Sequence, residues 1–243
     1  MSDVTDVLKQ YSKDVVKTIE ENLSVIEPQD LQDACLYLTK AGGKMLRPAL
    51  TLISAEAVGG KKEDALKTAA ALELIHTFSL IHDDIMDDDD MRRGNPSCHK
   101  KFGEDIALLA GDTLLTKAFS VSAKSNVNDS VKIKTISKLS YYAGEHGMIG
   151  GQVVDILSEQ KEPSLELLQY IHSHKTGALI AASVRIGAIL GGANEEQLEA
   201  LTIYAHQLGL AFQITDDILD VVGDAEKIGK PVGSDEKNQK ATY

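Results

Sequence analysis

Over residues 4–25 the apolar side chains Val4, Val7, Leu8, Tyr11, Val15, Ile19 and Leu23 recur at three- and four-residue steps. That spacing is the period of an amphipathic helix, not the alternation of a half-buried strand. Residues 64–87 repeat it through Leu66, Ala70, Leu74, Ile75, Phe78 and Ile81, and stretches 106–123, 130–149, 164–190 and 195–221 continue it. Ser164, and Asn194 before Glu195 and Glu196, offer acceptor side chains where helices should start, and Gly191–Gly192 offers a stop. No Asn-Gly or Asp-Gly pair separates β-branched runs, so no hairpin is predicted. The pattern predicts an all-α fold, a single domain over residues 1–243 with roughly eight to ten helices. Residues 175–190 and 207–222 are apolar on more than one face, as helices buried in a bundle or a subunit interface are.

Composition narrows the function. Apolar residues make up 43% and charged residues 26%, the balance of a globular chain and not a disordered one. Acids outnumber bases 37 to 25, a net charge of −12, and such a field repels nucleic acid and anionic lipid. A phosphate ligand would have to be met by local cations or bridging metal. Two cysteines, Cys35 and Cys98, are too few for a disulfide framework and fit a reduced, cytoplasmic setting. The first ten residues do not read as a signal peptide, and the longest apolar stretch, 177–192, is interrupted by Ser183 and Arg185, so no transmembrane segment is expected.

The acidic excess is concentrated. Six aspartates fall within the eight positions 83–90, following His82 at the end of an apolar helix, and Asp216, Asp217 and Asp220 form a second cluster. Negative charge is unfavourable at a helix C-terminus, and carboxylates ~4 Å apart repel by about 4 kcal/mol at an effective dielectric of ~20. An arrangement that keeps them needs a cation. Both clusters read Asp-Asp-x-x-Asp, and on a helix positions i and i+4 share a face about 6 Å apart, so Asp83 converges with Asp87 and Asp216 with Asp220. Carboxylate oxygens are the ligands Mg²⁺ prefers, with its other positions left to water and substrate phosphate. Candidate cations lie nearby in sequence: Lys44 and Arg47 after Gly43, Arg92 and Arg93 after the first cluster, Lys175 at the head of an apolar helix, and Lys230 and Lys240 after the second cluster. Taken singly, each is ordinary surface or loop charge, and His76 on an apolar helix face is an ordinary core histidine.

Together and in order, GGKMLRP, ELIHTFSLIHDDIMDDDDMRRG, HKTGALI and GLAFQITDDILDVVGD resemble the trans-isoprenyl diphosphate synthases. The resemblance runs from about Leu36 to Tyr243. It implies a helical bundle around a deep central cavity, normally a homodimer, that condenses isopentenyl diphosphate head-to-tail with an allylic diphosphate (dimethylallyl, geranyl or farnesyl). It assigns Asp83, Asp84, Asp87, Asp216, Asp217 and Asp220 to Mg²⁺, about three ions per active site. It assigns Arg92, Lys175, Lys230 and Lys240 to the allylic diphosphate, and Gly43, Lys44, Arg47, His76 and Arg93 to isopentenyl diphosphate. Thr176 and Gln213 fall near the ionising carbon. Family members usually continue for several dozen residues past the point matching Tyr243, so further C-terminal helices are expected to be missing from this chain.

Product length should be set along the helix bearing the first cluster. Ser79 lies one turn below Asp83 on its face, and Phe78 lies ~7.5 Å deeper along the axis, rotated off that face. Aromatic Phe78, small Ser79 and the absence of an insertion between the aspartates resemble archaeal-type geranylgeranyl diphosphate synthases, with Phe78 and Ser79 as the chain-length floor. IHSHKTGALIAASVRIGA resembles bacterial short-chain enzymes instead. The expected product is geranylgeranyl diphosphate, with farnesyl diphosphate as the alternative. Two rivals differ in kind: a non-catalytic subunit of a heteromeric synthase, which would tend to lose aspartates from one cluster, and a phosphohydrolase built on the His82-Asp83 dyad.

Overall fold

Helices begin where a polar side chain takes over unpaired backbone amides. In the computed structural model, which describes residues 4–158 and 164–222, Ser164 Oγ accepts from the Leu167 amide at 3.1 Å and Asn128 Oδ1 from the Val131 amide at 3.0 Å. Asn194 and Gln197 cap each other's amides at 2.9 and 3.0 Å, a closed capping box. The described residues form eleven α-helices: α1 (Val4–Leu23), α2 (Gln29–Lys40), α3 (Leu46–Ala57), α4 (Lys62–Met86), α5 (Cys98–Phe102), α6 (Glu104–Ser122), α7 (Asp129–Ala143), α8 (Met148–Ser158), α9 (Leu165–Ile171), α10 (Gly177–Leu190) and α11 (Glu195–Val222). A five-residue π turn, His172–Thr176, joins α9 to α10. The all-α expectation holds, and no described helix is long and apolar enough to cross a membrane.

Three local features depart from the sequence pattern. The helix predicted over 130–149 breaks after Ala143, where Gly144 leaves the helical region (φ −81°, ψ −152°); in the turn that follows, a Cβ at Gly147 would lie 2.0 Å from the Tyr142 carbonyl oxygen. The 12-residue helices α2 and α3 were not anticipated; each is too short to show a clear period. A small hairpin does form, β1 (Met91–Arg92) with β2 (Asn95–Pro96). Its turn residues Arg93 and Gly94 both have positive φ, the requirement usually met by Asn-Gly.

The core is organised by α4 and α10. α4 packs along α6 and crosses α1 and α3; α10 runs between α3, α7 and α11 and touches α4. Every residue of α10 from Ala178 to Leu190 is buried except Arg185, which hydrogen-bonds Thr202 on α11. The near-continuous apolar reading of this segment thus marks an internal helix, not a membrane span. Cys35 and Cys98 lie free and fully buried where α2, α5 and α6 meet; Cys35 Sγ donates to the Ala110 carbonyl at 3.7 Å and Cys98 Sγ to Ala34 at 3.9 Å. Burial pushes each thiol up to about 12.

α3 and α10 approach through small residues. A Cβ at Gly187 would lie 2.2 Å from the Thr51 carbonyl oxygen, a backbone atom with little room to yield. Overpacking of this kind costs about 1–3 kcal/mol, outweighing the gain of up to about 1 kcal/mol from replacing a helical glycine with alanine. Gly187→Ala should therefore lower the midpoint of urea unfolding. A midpoint at or above that of the parent chain would show that the contact is not tight.

Candidate active site

The end of α4 presents its aspartates to different surroundings. Asp83 and Asp87, four residues apart, both line a cavity of about 1000 Å³. Asp84 turns the other way and is 0% exposed. Its Oδ1 accepts from Arg92 Nε at 2.7 Å and from Arg92 Nη2, and Asp89 stands 3.5 Å from the same guanidinium. Burial raises the Asp84 carboxyl, against the lowering pull of Arg92. The structure thus places Asp84 behind the cavity wall, where it fixes Arg92, which does line the cavity. Farther along the acidic loop, Lys100 bridges Asp88 and Asp90 at 2.8 and 3.0 Å.

α11 contributes Gln213, Asp216 and Asp217 to the same cavity. Of Asp220 only its place in α11 is described, and Lys230 and Lys240 lie outside the described residues. The π turn supplies Lys175 and Thr176; a widened turn shifts the register of side chains, and such turns recur at functional sites. α8 can reach it because residue 151 is glycine: a Cβ there would lie 2.2 Å from the Lys175 backbone nitrogen. Lys175 Nζ then sits 2.6 Å from Asp155 Oδ2 and 3.4 Å from Asp83 Oδ1, and Gln152 Nε2 donates to Asp83 Oδ1 at 2.9 Å. Gln152 and Asp155 were missed in the sequence, where they are one amide and one acid in an amphipathic run. The signal available was their i, i+3 spacing on a helix entered through Gly150–Gly151.

A third group lies where α2, α3 and the hairpin meet. Arg47 and His76 line the cavity. Arg93 adopts φ 54° and donates to the Leu38 and Gly42 carbonyls, and a Cβ at Gly43 would be 3.0 Å from its guanidinium. Lys44 is exposed and, with Gly43 and Arg93, does not line the cavity. Burial holds the His76 imidazole well below its usual range, and the fields of Arg47, Arg93 and Arg92 lower it further. His76 is therefore neutral at physiological pH and keeps one ring N–H and one acceptor.

Phe78 and Ser79 line the cavity below Asp83. Phe78 stands edge-on to the His82 ring at 5.2 Å, and Ser79 Oγ donates to the His76 carbonyl at 2.8 Å. His82 itself turns toward α6, its Nε2 3.0 Å from the Leu108 carbonyl oxygen. The donor set suits Mg²⁺: hard carboxylate oxygens from the end of α4 and from α11 line one cavity. Among the described residues no three such groups converge into a preassembled cage, and Mg²⁺ binds through one or two carboxylates plus water and substrate phosphate.

An all-helical bundle with a cavity lined by aspartates from two helices and by cations has the parts to hold a metal-bound phosphate ligand. The polyprenyl synthetase family model matches residues 28–243; the chain belongs to that family and is a prenyltransferase. It is 46% identical to a farnesyl diphosphate synthase of Geobacillus stearothermophilus over 99% of this chain and 83% of the relative. It is 47% identical to a geranylgeranyl diphosphate synthase of Cyanophora paradoxa over 95% of this chain and 79% of the relative. The crystal structure of geranylgeranyl pyrophosphate synthetase from Pyrococcus horikoshii superposes with a TM-score of 0.91 at 40% identity, covering 97% of this chain and 72% of that one.

The depressed His76 makes a pH prediction. Its ordinary value is 6.5, so as pH falls through that range the unfolded chain takes up a proton that the folded chain refuses. Stability from this group is present above about pH 6.5 and lost below it. Urea unfolding at pH 7.5 and 5.5 should show a smaller acid-dependent loss for His76→Gln than for the parent. Equal losses would mean that His76 titrates normally.

Proposed function

We propose that the protein catalyses the Mg²⁺-dependent head-to-tail condensation of isopentenyl diphosphate with dimethylallyl, geranyl or farnesyl diphosphate, to give geranylgeranyl diphosphate. The observation that carries this reading is the meeting of Asp83 and Asp87, Asp216 and Asp217, Lys175 and Arg92 around one cavity that Phe78 also lines. Bound Mg²⁺, about three ions per site, would neutralise the allylic diphosphate as its carbon–oxygen bond breaks. Asp83, Asp87, Asp216, Asp217 and Asp220 would hold the ions, with Asp84 acting behind them through Arg92.

In this reading Lys175 and Arg92 grip the departing diphosphate, joined by Lys230 and Lys240, and stabilise charge as it develops. The Thr176 and Gln213 dipoles face the allylic carbon. Leu115, Met148, Leu179 and Phe212 wall the cavity with apolar surface, and exclusion of water keeps the allylic cation for the second substrate. Arg47 and His76, which line the cavity, orient isopentenyl diphosphate and so aim its double bond at that carbon; Arg93, Lys44 and the Gly43 backbone, which do not line it, are assigned to the same substrate by family resemblance alone. No side-chain base is needed, because the released diphosphate can take the final proton.

A homodimer belongs to this reading as what the family resemblance implies. A second reading, farnesyl diphosphate as product, draws on the 46% identity to a farnesyl diphosphate synthase, beside the 47% identity to a geranylgeranyl diphosphate synthase that supports the first. A non-catalytic subunit is disfavoured, since both Asp-Asp-x-x-Asp clusters are complete.

Incubation of the purified protein with Mg²⁺, labelled isopentenyl diphosphate and each primer should yield a twenty-carbon diphosphate; a product that stops at fifteen carbons would support the second reading. Phe78→Ala should lengthen the product, and an unchanged length would remove Phe78 from the floor. Asp83→Ala or Asp216→Ala should cost about 10²-fold or more in turnover. Near-parental turnover in either variant would overturn the metal assignment.

A further inference from the structure

His82 directly precedes Asp83 and lines the cavity together with Phe78, but its imidazole is committed to a neighbouring helix. Nε2 lies 3.0 Å from the Leu108 carbonyl oxygen of α6. A carbonyl oxygen can only accept, so Nε2 carries the proton and donates it to that bond. Asp112 Oδ1, 4.0 Å from the same nitrogen, is beyond hydrogen-bond reach. α6 makes room for the ring because residue 111 is glycine: a Cβ there would lie 2.1 Å from Nε2 and 2.4 Å from Cδ2 of His82. The imidazole is thus keyed into a notch of α6 and bonded to its backbone.

The same imidazole meets Phe78, four residues earlier on α4 and therefore on the same helix face. The ring centroids are 5.2 Å apart and the planes cross at 84°, the edge-to-face arrangement that aromatic rings prefer. Phe78 borders the open cavity, and on that side no protein atoms restrain its ring. The restraint has to come from the packed side, where His82 stands. Because His82 is tied to α6, a push on Phe78 from within the cavity is passed to a second helix and is not absorbed by a free side chain.

We propose that His82 is a positioning residue for product length: anchored on α6, it braces the Phe78 ring against the end of the growing isoprenoid chain. The proposal rests on the reading of Phe78 as the chain-length floor. His82 acts on the product through Phe78 and not by touching it.

The test is product analysis of the full chain with Mg²⁺, labelled isopentenyl diphosphate and dimethylallyl diphosphate, read as the ratio of longer products to parent-length product. His82→Gln keeps an amide donor at about the reach of Nε2 but has no ring, and it should raise that ratio about fivefold, the factor an edge-to-face ring contact supplies. His82→Asn loses both the ring and the reach; it should raise the ratio as well, and decides the matter if the glutamine variant does not fold. Adding His82→Gln to Phe78→Ala should lengthen the product no further than Phe78→Ala alone, as two residues acting through one contact require. Slower turnover with the ratio unchanged would assign His82 to the scaffold and overturn the proposal. Additive lengthening in the double variant would overturn it too, because His82 would then act on the product independently of Phe78. If Phe78→Ala lengthens the product while His82→Gln does not, only the role of His82 fails; if Phe78→Ala leaves the length unchanged, the floor reading fails and the proposal with it.

Discussion

A carboxylate sealed inside the bundle at the end of α4 has to be neutralised, and Asp84 finds its counter-charge in Arg92. Because Arg92 lies on β1, this pair ties the hairpin to α4 and turns the acidic loop 87–90 back over the helix end. The turn of the hairpin then forces positive φ on Arg93, whose guanidinium reaches the Leu38 carbonyl in the last turn of α2 and the Gly42 carbonyl just past it. Three segments far apart in sequence, 38–42, the end of α4 at Asp84, and 91–96, are thereby fixed to one another. The Asp83–Asp87 side of the cavity and its Arg92 side inherit their relative placement from that junction.

The same logic governs the charge of the site. Of the net −12, nine negative charges belong to the two aspartate clusters, and −12 less those nine leaves −3. The clusters are not left bare. Lys175 sits between Asp83 and Asp155, and Lys100 sits between Asp88 and Asp90. These amines act as internal counter-ions to the acids. Flexible lysine serves on the cavity side and in the acidic loop, whereas the fixed pairing behind the wall uses arginine.

Much of this was legible in the sequence, for identifiable reasons. The caps at Ser164 and Asn194 are local chemistry, and both form as read. The convergence of Asp83 with Asp87 follows from helix geometry alone. What the spacing could not tell was which aspartate faces inward: Asp83 and Asp84 are chemically identical neighbours, and only the arrival of Arg92 from the hairpin separates them. The hairpin was invisible because its left-handed turn is built on Arg93, a residue held there by long-range hydrogen bonds and not by its own preference. Gln152 and Asp155 were overlooked because their meaning depends on Lys175, brought to them by the π turn and the gap at Gly151.

The two cysteines have a use that has nothing to do with chemistry at the cavity. A thiol reacts as its thiolate, and Cys35 and Cys98, raised to about 12 and fully buried, offer almost none at neutral pH. Alkylation therefore waits for α2 to part from α5 and α6. The rate at which an alkylating reagent is consumed counts those partings, so the chain carries a native clock for the breathing of that corner.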